Sequence, residues 1–137
     1  MIRFAFSGLR SDYLSTRESA DVFHNVEADL RVLDGEREIY GEVLFPVVEL
    51  VGALRSWQRS RGEFVFDSMA LDGRWAVRII PADGGWQLVN AGDDLEHAVV
   101  SSVVFTEDID RAIDEFAEAL EPACVELLGT WIESFFA

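Results

Sequence analysis

Runs in which apolar and polar residues alternate, joined by glycine-bearing turns and not by helices, limit the fold of this chain more than any other feature. A side-chain period of two is that of a strand with one face buried. Such strands, joined by two-residue turns, pair antiparallel, because a parallel pair needs a crossover of about a dozen residues or more. Ile2, Phe4 and Phe6 alternate with Arg3 and Ala5 to give a short first strand. After the polar connection "SGLRSDYLSTRESAD", a longer strand carries Val26, Ala28, Leu30 and Val32 on one face and Glu27, Asp29 and Arg31 on the other. Asp34-Gly35 then predicts a hairpin turn, since glycine accepts positive φ and aspartate tolerates it. The return strand is expected to carry Ile39, Gly41, Val43 and Phe45 on one face.

Pro46 fixes φ at a helical value where no amide donor is needed, so a helix is predicted to start there. Val47, Leu50, Val51, Leu54 and Trp57 form its apolar stripe, and Gly62 is its expected stop. Beyond it the period returns to two. Phe64 and Phe66 open one strand, and Asp72-Gly73 turns into a second through Trp75, Val77 and Ile79. Gly84-Gly85 turns into a third through Trp86 and Leu88, and "HAVVSSVVF" is the fourth. Thr106 is the expected cap of a closing helix with the stripe Ile109, Ala112, Ile113, Phe116, Ala117 and Leu120. Pro122 is predicted to end or kink it, and a last helical stretch runs from Cys124 to about Phe136. The order β-β-β-α-β-β-β-β-α-α implies an α+β fold, mainly one antiparallel sheet of about six to seven strands with helices packed on one face. No linker divides the 137 residues, which are read as a single domain.

Half of the residues are hydrophobic, enough for a packed core. "MIRFAF" lacks the apolar stretch of a signal peptide, and no run approaches the roughly 20 apolar residues that span a bilayer. With a single cysteine, Cys124, among Val125, Leu127 and Leu128, the expectation is a soluble cytoplasmic protein with a buried structural thiol.

Charge carries the functional argument. The net charge is −15, and it is unevenly distributed: residues 1–82 hold 13 acids against 10 arginines, whereas residues 83–137 hold 13 acids against Arg111 alone. Such a field repels nucleic acid and anionic membranes and attracts basic proteins. Between Thr106 and Glu121 seven acids stand against that one arginine. Glu107, Asp110, Asp114, Glu118 and Glu121 recur at helical spacing and are expected to form one stripe. The helix dipole explains Glu107 and Asp108, and Arg111 is placed to pair with Glu107 and Glu115. Glu118 and Glu121 stand near the C-terminal end, where an anion is disfavoured. A charged solvated face accounts for such a stripe without further purpose. The loop acids Asp83, Asp93, Asp94 and Glu96 just before it favour a docking surface for a cationic partner, built from Asp93, Asp94, Glu107, Asp110, Asp114, Glu118 and Glu121.

Chemistry-bearing patterns are few. His24 and His97 stand alone in what read as strand contexts, and no ligand-like spacing predicts a metal site. There is no calcium loop, P-loop, dinucleotide fingerprint or G-x-S-x-G elbow, and no cofactor is implied. Cys124 has no evident base. "RSWQRSRGEF" groups Arg55, Arg59 and Arg61 around Trp57, but three arginines in so acidic a chain make a poor nucleic-acid footprint, and pairing with acids on neighbouring strands is expected. Trp75, Trp86 and Trp131 are expected in or near the core.

"VEADLRVLDG", "FPVVELVGALRSW", "GEFVFDSMALDG" and "ADGGWQL" resemble segments of small actinobacterial α+β domains. In size, acidity and lack of catalytic motifs the chain is also similar to immunity proteins of bacterial polymorphic toxin systems. That resemblance implies a non-enzymatic cytoplasmic protein that binds and occludes a toxin domain, often a basic nuclease. Two other readings stand beside it. One is a regulatory or assembly module that forms a homodimer through a sheet edge, and the other a small enzyme whose carboxylate pair sits in a cleft with raised pKa values.

Overall fold

A computed structural model describes residues 1–66, 77–90 and 98–137. The expected α+β class holds, but the strands divide into two antiparallel sheets instead of one. The first sheet has the order β1-β2-β3, from β1 (Ile2–Arg10), β2 (Glu27–Asp34) and β3 (Arg37–Phe45). The second has the order β4-β5-β6-β7, from β4 (Phe64–Val65), β5 (Arg78–Ala82), β6 (Gly85–Asn90) and β7 (Val99–Val100). Between them in sequence lies α2 (Val47–Ser60), and α1 (Ser19–Asn25) precedes β2. The chain closes with α3 (Thr106–Leu128) and a 3₁₀ helix, Thr130–Phe136. The expected turn at Asp72-Gly73 and Trp75 lie outside the described residues.

β1 is longer than its alternation suggested, and α1 replaces part of the expected polar connection. Only Val22 of α1 is fully buried, too little for a periodic signal. Asp21 holds the connection together instead: its carboxylate accepts the Thr16 amide at 2.7 Å and hydroxyl at 2.9 Å, the Ser15 amide and hydroxyl at 3.1 Å, and the Asn25 side-chain amide at 2.7 Å. The Asn25 and Thr16 bonds hold its carboxyl well below the usual range.

The β2–β3 hairpin turns at Gly35-Glu36, one residue beyond the expected Asp34-Gly35: Gly35 takes the positive φ, +62°, while Asp34 stays in β2 and pairs with Arg37. Its return strand departs from simple alternation. Two register shifts separate Ala28↔Phe45 from Leu30↔Glu42 and Val32↔Tyr40 from Leu33↔Glu38, so Ile39, Tyr40 and Phe45 are buried while Val43 is 64 % exposed. Each bulge moves one residue across the sheet, and Leu44, at φ +55°, sits in the first. The Asp29 carboxylate accepts its amide at 3.4 Å.

The same hairpin joins the sheets. Asp34 accepts the Ser102 amide at 2.8 Å and hydroxyl at 2.9 Å, and Arg37 Nη1 donates to the Val100 carbonyl at 3.1 Å. The open edge at residues 99–102, which is β7 and the two residues after it, is thus closed by side chains. On its other edge Val104 exchanges hydrogen bonds with Trp86, at 2.8 and 2.9 Å. Gly85 makes that approach possible, since a Cβ there would stand 2.2 Å from the Val104 carbonyl oxygen.

One cluster of buried side chains is shared by both sheets and the helices, and includes Phe4, Leu30, Leu54, Ile79, Leu88 and Ile113. α3 lies along β1, where Phe116 stacks on Phe4 at 5.6 Å and meets Phe6 at 6.2 Å. α2 packs against α1, β2 and α3. Among the described residues no helix is long and apolar enough to cross a membrane.

Candidate functional site

α3 begins without the expected cap. Phe105 stands at the N-cap position and makes no side-chain cap bond, while Thr106 lies inside the helix and its hydroxyl accepts the Trp86 indole N–H at 3.0 Å. Glu107 and Asp108 in the first turn satisfy the dipole. Ile109, Ala112, Ile113, Phe116, Ala117 and Leu120 are all buried, as the stripe predicted, and Cys124 extends it. Pro122 does not end the helix, which continues to Leu128. It removes only the donor to the Glu118 carbonyl, while buried Leu120 and Cys124 fix the turns on either side. Gly129 ends it, with its amide bonded to the Val125 carbonyl at 2.8 Å, so the expected last helical stretch is divided: Cys124 to Leu128 belongs to α3, and Thr130–Phe136 is 3₁₀.

The acidic stripe does not present one open face. Asp110 and Asp114 turn toward α2, where Arg61 Nη2 donates to Asp110 at 2.7 Å and Arg55 pairs closely with Asp114. Gln58 Nε2 lies between them, 3.1 Å from Asp110 and 3.4 Å from Asp114, and Arg55 also bonds the Gln58 carbonyl oxygen at 2.9 Å. Two of the three arginines of the basic patch are therefore answered by acids, but on a helix and not on strands. Arg61, at φ +56°, is further held by its guanidinium over the Trp57 ring at 4.8 Å, and the Trp57 indole donates to the Gly62 carbonyl at 2.9 Å. Arg59 remains exposed.

Burial between the helices alone would raise the Asp110 carboxyl. The bonds from Arg61 and Gln58 outweigh it, and the group ends below its ordinary value. A lowered folded value means that its contribution to stability is complete above the unfolded carboxylate value of about 3.9 and is lost as pH falls through the folded one. Asp110→Asn is therefore expected to cost about 0.5–1 kcal/mol at neutral pH, with the gap to the native chain closing below about pH 4. Urea unfolding at stepped pH checks this, and a gap that does not vary with pH would remove Asp110 as the source.

The outer face of α3 is made by other residues. Glu107, Glu115, Glu118 and Glu126 are exposed, and Arg111, the cation among them, bonds Asp108 at 3.3 Å instead of Glu107 or Glu115. Glu115 and Glu126 were not in the predicted stripe. Glu121 is half-buried beside a groove of about 420 Å³ that it shares with Pro122, Val125, Glu126 and Glu133. Asp83 is exposed in the β5–β6 turn, whereas Asp93, Asp94, Glu96 and His97 lie outside the described residues.

Burial, aided by the nearby Glu121 carboxylate, pushes the Cys124 thiol up to about 12, so it stays protonated. His24 is exposed on the last turn of α1, not on a strand as its sequence context suggested. Trp86 packs edge-on against Trp57 at 5.0 Å, and Trp131 donates to the Leu128 carbonyl at 2.7 Å. Among the described residues, no group of three or more His, Cys, Asp or Glu side chains converges as a metal site. The displaced carboxyls there, Asp21, Asp29, Asp34 and Asp110, all move downward. This is the direction of ions held in pairs and hydrogen bonds, opposite to that of a proton-donating carboxyl.

Residues 2–124 match the model of one protein family. The chain belongs to the family described as Domain of unknown function (DUF7878). No curated protein and no solved structure matches it. The DUF7878 match takes in both sheets, α1, α2 and most of α3, including Glu107, Glu115 and Glu118.

Proposed function

We propose that this is a non-enzymatic binding protein that receives a cationic protein partner on the outer face of α3. Its sharpest form is an immunity or inhibitor protein that occludes a basic toxin or nuclease in the cytoplasm. The supporting observation is the row of exposed carboxylates Glu107, Glu115, Glu118 and Glu126, with Arg111 as the one cation along it. Asp110 and Asp114 leave the docking set, because α2 already holds them, and act as the fixed base of the face. Glu121 remains at its edge, and Asp93 and Asp94 add two acids of the same sign in the sequence before α3. Inhibition follows from occlusion: carboxylates occupy the surface on which the partner would bind phosphates.

The homodimer is the weaker alternative. The edge at residues 99–102 is closed by Asp34 and Arg37, and a second copy would bring a net charge of −15 against −15. The test is capture from the host lysate at low salt, elution by a salt gradient, and assay of the eluted protein with and without the domain. A basic protein released by salt and inhibited when bound supports the proposal. Capture that ignores salt overturns it.

A further inference from the structure

The segment leading into α3 buries two side chains and leaves the others in solvent. Ser101 and Val104 are buried, whereas Val103 is 47 % and Phe105 64 % exposed. Met1, exposed as well, joins them around a recess of about 290 Å³ that is bounded on the helix side by Asp108. A single exposed valine is ordinary surface, but an aromatic, a valine and a methionine gathered at one hollow are not. The local fold does not require the Phe105 ring. The Phe105 carbonyl accepts the Asp108 and Ile109 amides that open α3, a role any residue can fill, and the ring has no aromatic partner among the described residues.

The surroundings restrict what fits there. At the recess itself Asp108 pairs with Arg111 at 3.3 Å and the Met1 ammonium with Asp34 at 3.4 Å, so the unanswered negative charge nearby is that of exposed Glu107, next to Asp108 in the chain, followed along α3 by exposed Glu115 and Glu118. A second copy would meet that charge with its own, and an anionic membrane or a nucleic acid would be repelled. We infer that the recess of Met1, Val103 and Phe105 anchors the cationic partner by receiving one apolar side chain carried between arginines or lysines. This rests on the proposed docking role of α3 and adds the point where affinity resides: the carboxylates steer the approach, and the recess holds the bound state.

Two fluorescein-labelled peptides test it, one with Leu-Phe and one with Gly-Gly between identical pairs of arginines. Fluorescence anisotropy with the full chain at low salt is expected to show the Leu-Phe peptide binding about tenfold tighter. Phe105→Ser should abolish that advantage and leave the Gly-Gly peptide unaffected, with an unchanged thermal midpoint showing that the fold is intact. Val103→Ser should reduce the advantage in the same way. The recess proposal fails if the advantage is absent or survives both changes while Glu118→Lys still weakens both peptides. If Glu118→Lys leaves both affinities unchanged, the docking role of α3 fails, and if neither peptide binds, both ideas fail.

Discussion

Phe116→Ala is expected to lower the free energy of unfolding by about 3–5 kcal/mol, a large share of what a domain of this size possesses. Phe116 is 2 % exposed and is the side chain through which α3 grips the first sheet, with Phe4 and Phe6 both in ring contact. Truncation removes the buried ring and leaves a cavity between a helix and a strand that are tied to the rest of the core on their other sides. Neither can readily collapse into it. Urea unfolding checks the value: the midpoint should fall while the slope stays unchanged. A loss below about 1 kcal/mol would mean that α3 is held elsewhere, with the clamp of Arg55, Gln58 and Arg61 the first place to look. The contrast with Phe105 is informative, because that ring is exposed and Phe105→Ala should fall within about 0.5 kcal/mol of the native chain.

What the sequence reveals about this fold depends on how local the controlling interaction is. The stripe of α3, the turn at Gly35 and the start of α2 follow from residues a few positions apart, and each is found within a residue of where the pattern puts it. The division into two sheets is a matter of which strands pair over long distances, and alternation alone is silent on that. The bulges of β3 defeat alternation directly, since a shift of one residue sends Val43 out and lets Tyr40 in. α1 has one fully buried residue and no side-chain cap bond, so its clearest trace is the Asp21 contacts with Ser15 and Thr16.

The acidic face was legible in composition and misjudged in phase. At about 100° per residue, Asp110 lies roughly a quarter turn from the middle of the apolar stripe, whereas Glu107 and Glu115 lie roughly 140° and Glu118 roughly 160° from it. Measuring the angle from the core singles out Asp110 but not Asp114, which at roughly 120° stands nearly as far from the stripe as Glu115 and is drawn in by Arg55. That α2 would supply Arg55 and Arg61 to meet the two aspartates was not readable, because the partners lie 59 and 49 positions apart in the chain.

Which carboxylates α2 holds decides which substitution tests function. Reversing Asp114 would break the pair with Arg55 and confuse lost binding with a loosened helix. Glu115 and Glu118 are exposed and are the better pair to change. Replacing both by lysine moves the net charge from −15 to −11 and converts the centre of the outer face from negative to positive. With the cationic partner proposed above, the association rate at low ionic strength is expected to fall at least about tenfold, because steering of this kind raises on-rates by 10- to 1,000-fold (approximately). The difference should shrink as salt rises and nearly vanish near 1 M, where the screening length is about 3 Å. Dissociation should change less, since the apolar anchor proposed at Phe105 lies at the far end of the face. Stopped-flow association across a salt series reads all three effects. Equal rates for the two proteins at low salt would return the carboxylates of α3 to a solvated surface and leave the apolar recess as the part of the molecule still in need of a partner.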